Sequence, residues 1–150
     1  LKKVLCVCKG NTCRSPMMEA ILRNELRKLG LEVHIESAGI MKETEGQGAC
    51  EHSVKEMRER GHDLTTHKSR HIGSIGDLTQ FDLILCVGRP EADQVQIFCP
   101  AISDRLRVVN ESDGGIPNPW LQGPEAYTVC ALTVELAMSG IAAELASQWN

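Results

Sequence analysis

The chain predicts an α/β layered fold, a single doubly wound domain over residues 1–150 with a mainly parallel sheet. Two patterns carry that expectation. Short apolar runs rich in strand formers, at Val4–Cys8, Phe81–Val87 and Leu106–Val109, alternate with stretches of helical periodicity. Neighbouring parallel strands need crossover connections, and the intervening helical stretches are long enough to supply them. A third observation, the length of 150 residues, matches one domain and buries about 68–70% of the unfolded surface without a staple.

Val4 to Cys8 reads as a buried strand. Pro16 suits the first turn of a helix, and Met18, Ile21, Leu22, Leu26 and Leu29 then recur at spacings of three and four up to Gly30. Leu31, Val33 and Ile35 alternate with Glu32, His34 and Glu36, predicting a half-exposed edge strand closed by Ser37-Ala38-Gly39. Residues 42–48 are polar and read as a loop. Cys50, Val54 and Met57 mark a second helix stopped at Gly61. The nearly continuous apolar run Phe81–Val87 predicts a strand covered on both faces, and Leu106–Val109 a shorter one. A loop with Gly114, Gly115, Pro117 and Pro119 leads to a last helix from about Glu125.

Composition narrows the function. Hydrophobic residues at 42%, charged residues at 24% and a net charge of −4 describe a globular chain and argue against a nucleic-acid or membrane-surface partner. Seven cysteines are many, but their number is odd and no C-x-x-C pair occurs. The apolar stretch Val4–Val7 is too short for a signal core or a membrane span. Reduced thiols in a cytoplasmic protein are the expectation. His67 and His71 stand four apart without a third ligand, so no metal is assigned.

In a parallel sheet, ligands bind beyond the carboxyl ends of the strands, which directs attention to the segment after Val4–Cys8. It reads Cys8-Lys9-Gly10-Asn11-Thr12-Cys13-Arg14-Ser15-Pro16. The backbone N–H groups between Cys8 and Arg14 can converge on an anion, and the helix N-terminus adds its positive end. Arg14 supplies a planar fork for two phosphate oxygens. This field favours a thiolate nucleophile at Cys8, Ser15 can donate its hydroxyl to that sulfur, and Gly10 keeps a Cβ out of the anion's way.

The pattern Val-Cys-x-Gly-Asn-x-Cys-Arg-Ser-Pro resembles the phosphate-binding loop of the low-molecular-weight protein tyrosine phosphatases. Ser37-Ala38-Gly39, His67 ahead of Arg70, the strand Asp82–Cys86, and Asn118-Pro119 followed by Tyr127 fall in the same order, so the resemblance spans nearly the whole chain. It implies a four-stranded parallel sheet with helices on both faces, and attack by Cys8 on phosphorus to form a cysteinyl-phosphate. It also implies that Arg14 grips the equatorial oxygens while Asn11, Ser37 and His67 brace the loop. The substrate would be a phosphorylated protein or peptide, met by a monomer without metal or cofactor. For Cys13, packing and a reversible disulfide with Cys8 both stand open, and the resemblance favours the disulfide.

The chain departs from that family in three places. Asn118 stands where a general-acid aspartate is expected, and it has no proton to give. A substitution made to trap a complex, a natural change leaving a slow enzyme or a phosphate-binding decoy, and a neighbouring acid (Asp113, Glu111 or Glu125) each account for it. Thr12 replaces the bulky aliphatic residue common in tyrosine-directed members and resembles the bacterial members that act on phosphoarginine, so both substrates remain open. Lys9 stands where a small or apolar residue is usual. Trp120 and Tyr127, two of only five aromatic residues, are placed on the pocket wall. Thiol-dependent arsenate reduction is a competing chemistry, but Cys86 and Cys99 are not the close pair its relay resembles.

Overall fold

The computed structural model describes residues 1–150. Four strands, β1 (Lys3–Cys8), β2 (His34–Gly39), β3 (Leu83–Cys86) and β4 (Leu106–Val108), form one parallel sheet in the order β2-β1-β3-β4. Helices α1 (Arg14–Lys28), α2 (Glu51–Glu59) and α3 (Arg89–Phe98) lie in the crossovers, and α4 (Pro124–Trp149) follows the last strand; together they cover both faces.

Alternation along β1 divides the core. Val4, Cys6 and Cys8 face a cluster built with Met17, Met18 and Leu22 of α1, Met57 of α2, and Val134 and Met138 of α4. Leu5 and Val7 face the other cluster, with Phe81, Ala92, Val95 and Ile102. Each fully buried aliphatic or aromatic side chain contributes about 1.5–3 kcal/mol of transfer free energy. Helix α4 is long and apolar enough to cross a membrane, yet its Cys130, Ala131, Val134, Met138 and Ile141 are buried in the core.

Three boundaries and one whole helix differ from the sequence reading. The edge strand starts at His34 rather than Leu31 and runs through Ser37-Ala38-Gly39. Its partner sets this register: Lys3 pairs with His34 and Cys8 with Gly39, so pairing continues after the polar alternation stops. Within Phe81–Val87 only Leu83–Cys86 is strand, because Phe81 closes a short 3-10 turn. Helix α1 begins at Arg14, two residues before Pro16. Helix α3 is absent from the sequence reading, since only Glu91, Ala92 and Val95 are buried while the apolar Ile97 and Phe98 are exposed, which blurs its periodicity.

Close approach of two loops to the sheet depends on glycine. A Cβ on Gly39 would lie 2.8 Å from the Lys9 carbonyl oxygen, so the end of β2 can pass directly beneath the segment after β1. Gly115 has φ +92°, and a Cβ there would lie 2.2 Å from the Val87 carbonyl oxygen. That contact lets the Ile116 N–H bond Val87 at 2.7 Å, pinning the loop before α4 over the carboxyl end of the sheet.

Candidate active site

Strand β1 ends on Cys8 and α1 starts on Arg14, so residues 9–13 must turn back within a few ångströms. Asn11 makes the turn possible. It adopts the left-handed conformation, φ +58°, which asparagine tolerates better than most residues, and it is fully buried. Its Nδ2 donates to Ser15 Oγ at 2.8 Å and to Ser37 Oγ at 3.0 Å. Its Oδ1 accepts from the Arg70 N–H at 2.9 Å, and its carbonyl accepts from His67 Nε2 at 2.6 Å and Ser69 Oγ at 2.7 Å. Ser37 in turn donates to Glu19 at 2.6 Å. The loop is thereby held by β2, α1 and the segment 67–70 together. Ser69 and the Arg70 N–H were not foreseen, because backbone partners so distant in sequence leave no local signal.

Within that frame Cys8 Sγ, itself nearly inaccessible, lies 3.0 Å from Ser15 Oγ and accepts the Asn11 N–H at 3.2 Å. Arg14 is 7% exposed. It donates to the Ile116 carbonyl at 3.0 Å, and no carboxylate pairs with it. A buried guanidinium without an acid partner is costly unless an anion completes it. Its place beside the sulfur and at the start of α1 is where a bound oxyanion would do so.

A cavity of about 260 Å³ opens over Cys8 and Arg14. Lys9, Gly10, Thr12, Cys13, Asn118 and Trp120 line it, with Trp120 60% exposed. Met41, Thr44 and Gln47 line it as well, and Thr44 donates to the Gly10 carbonyl at 2.8 Å. Those three lie on the stretch read only as a polar loop. A Cβ on Gly10 would meet Thr44 no closer than 3.5 Å, so no protein atom demands glycine there.

No carboxylate lines the cavity. Glu111 is engaged with Arg89 at 2.9 Å, and Asp113 and Glu125 are exposed outside it. Asn118 Oδ1 accepts the Trp120 N–H at 3.3 Å, which sets the two side chains on one turn.

Two sequence assignments are corrected. Tyr127 is not on the wall: it is 3% exposed, stacks near His52 with ring centroids 5.1 Å apart, and lies behind the loop. Its position on α4 turns the ring toward His52 of α2 and the hydroxyl toward the Cys13 and Cys50 thiols. The Cys13 thiol does not stand alone beside Cys8. It sits 2.8 Å from Cys50 Sγ, with the Tyr127 hydroxyl 3.6 Å away. Cys50 is partly buried and packs against the core. Cys6, Cys86 and Cys130 are core residues, and burial pushes the last two thiols up to about 12.

This geometry has close counterparts. The family described as low molecular weight phosphotyrosine protein phosphatase matches residues 3–150. A low molecular weight protein-tyrosine-phosphatase of Streptomyces coelicolor is 28% identical over 97% of this chain and 94% of its own length. A protein-arginine-phosphatase of Geobacillus stearothermophilus is 30% identical, covering 97% of both chains. The crystal structure of the low molecular weight protein tyrosine phosphatase from T. tengcongensis superposes with a TM-score of 0.88 at 28% identity, over 97% of this chain and all of that one. With the parallel sheet, the sulfur at the end of β1 and the unpaired arginine at the start of α1, the match over 3–150 places this chain in the low molecular weight phosphotyrosine protein phosphatase family.

Proposed function

We propose that this phosphatase acts on phosphotyrosine in proteins or peptides rather than on phosphoarginine, through a cysteinyl-phosphate, with Asn118 leaving it without a general acid. The carrying observation is the cavity's lining: an exposed Trp120, the exposed Lys9, and no carboxylate. A phosphoarginine guanidinium entering there would meet a cation and find no anion. A phenyl ring would meet an aromatic face.

The chemistry follows from the same groups. Cys8 Sγ attacks phosphorus as the bond to the phenolic oxygen breaks, and Arg14 with the loop N–H groups neutralises the equatorial oxygens. Ser15 Oγ, 3.0 Å from the sulfur, donates to it when it is anionic and again when it leaves. Water then attacks phosphorus, the S–P bond breaks, and inorganic phosphate departs. Asn118 can hydrogen-bond the leaving oxygen but cannot protonate it. A phenol, with a pKa of about 10, tolerates that loss far better than a guanidine, whose conjugate acid lies above about 12.

The test compares turnover of matched phosphotyrosine and phosphoarginine peptides, with Cys8→Ser as control. Faster release from phosphotyrosine, abolished in Cys8→Ser, is expected. Faster release from phosphoarginine would overturn the substrate assignment, and activity surviving in Cys8→Ser would overturn the nucleophile.

A further inference from the structure

The geometry points to a redox modification site that joins Cys13 to Cys50, closing a disulfide behind the phosphate-binding loop while Cys8 stays free. The two sulfurs are 2.8 Å apart. Their backbones are already adjacent, because the Cys50 N–H donates to the Thr12 carbonyl at 3.0 Å. Closing the bond therefore asks each thiol to move by a fraction of an ångström, toward an S–S length of about 2.05 Å. Cys13 and Cys50 precede the first residues of α1 and α2, respectively, so two helix N-termini meet at this sulfur pair. Cys50 is half-exposed, and Cys13 reaches the cavity, so an oxidant has access from either side.

The pair is chemically asymmetric. Hydrogen bonding from Cys13, with Ser53 and Tyr127 adding to it, holds the Cys50 thiol below the usual range despite partial burial. The partnership with Cys50, and burial after it, raise Cys13. Cys50 is also the more exposed of the two sulfurs, which makes it the one placed to meet an oxidant first. With a hydroperoxide as oxidant, the Cys50 thiolate attacks the terminal oxygen, the O–O bond breaks, and Cys50 becomes a sulfenic acid as the peroxide is reduced to alcohol or water. Cys13 then attacks the Cys50 sulfur. The S–O bond breaks, hydroxide leaves with the Cys13 proton as water, and the disulfide remains. Two thiols lose one electron each and the peroxide gains both.

This pairing takes Cys13 away from the Cys8–Cys13 bond that the sequence resemblance favours. Cys8 has other company, Ser15 Oγ and the Asn11 N–H, and neither contact involves Cys13 or Cys50. The assignment does not depend on which phosphorylated residue is the substrate, and its readout requires no turnover.

The experiment treats the native chain with one molar equivalent of hydrogen peroxide, blocks remaining thiols with iodoacetamide, and maps tryptic peptides without reductant. Trypsin separates the three cysteine segments: residues 4–9 carry Cys6 and Cys8, residues 10–14 carry Cys13, and residues 43–55 carry Cys50. The expected product links 10–14 to 43–55, reverts with dithiothreitol, and is lost in both Cys50→Ser and Cys50→Ala. Tethering residues 13 and 50 constrains the unfolded chain, so oxidised wild type unfolds at a higher temperature than reduced, with no such difference in either variant. Linkage of 10–14 to 4–9 overturns the proposal in favour of the Cys8–Cys13 pair. Recovery of Cys13 and Cys50 both alkylated, or oxidised without a link, overturns it as well.

Discussion

The Arg14 guanidinium donates to the Ile116 carbonyl at 3.0 Å, which ties the start of α1 to the loop that carries Asn118. One hydrogen bond therefore joins the guanidinium beneath the cavity to the loop that brings Asn118 to its lining. Replacing Arg14 by lysine removes the planar fork and leaves a point charge. We expect kcat/KM for an aryl phosphate to fall by about 10²–10³, with inhibition by inorganic phosphate weakened in parallel. Steady-state assays against both would detect the loss, and a rate within threefold of wild type would remove Arg14 from its assigned role.

Asn118→Asp introduces a proton donor into a cavity that no carboxylate lines. A positioned general acid is worth about 10²–10⁴ in rate. The gain should be greatest for phenols of high pKa and small for nitrophenol, whose leaving oxygen needs no proton. A series of aryl phosphates would show a shallower dependence of rate on leaving-group pKa in the variant. An unchanged slope means that another donor already serves the wild type.

Gly115 and Gly114 form a paired test of loop placement. Both have positive φ, but only at Gly115 would a Cβ collide with backbone, 2.2 Å from the Val87 oxygen, while at Gly114 nothing lies within 4 Å. Alanine at either position costs more than about 1 kcal/mol through backbone strain. Gly115→Ala should lose more, and should also lower activity by displacing Ile116 from Arg14. Urea denaturation and aryl phosphate hydrolysis on the two variants would check this, and equal losses would count against the close approach.

Glu36 links acid stability to the support beneath the loop. Burial alone would raise its pKa, but hydrogen bonds from Arg70 and then His34 outweigh it, so the folded carboxylate titrates below its ordinary value. A depressed carboxylate contributes stability that is complete above its unfolded pKa, about 4.3, and lost as pH falls through the folded value. Thermal midpoints of wild type should therefore drop more steeply below about pH 4.3 than those of Glu36→Gln. Parallel curves would show that the Arg70 contact contributes nothing to folding. The site is partly exposed, so the difference shrinks as salt is raised.

Much of this molecule was legible before any coordinates. Val4–Cys8 declared itself by apolar continuity, α1 by periodicity, and the Cys8–Arg14 segment by carrying every chemical part of an anion site in one short stretch. Helix α3 did not, because a helix with three buried residues offers too little periodic signal. Tyr127 misled because proximity to Asn118 in sequence was taken for proximity in space, while the helix turns its ring toward His52 and the two thiols.

What the chain determines by itself is what depends on neighbours in sequence: the order of strands and helices, and a nucleophile, a backbone cradle and an arginine within one strand-turn-helix. Contacts between distant segments were decided only by the tertiary structure. Asn11 is held by Ser37 and Arg70, Arg14 meets Ile116, and Cys13 meets Cys50 across thirty-seven positions. The physical reason is that parallel strands join through long crossovers, so residues that share the carboxyl edge of the sheet are separated in the chain by whole helices. Local pattern specifies each piece, and the sheet's register decides which pieces touch.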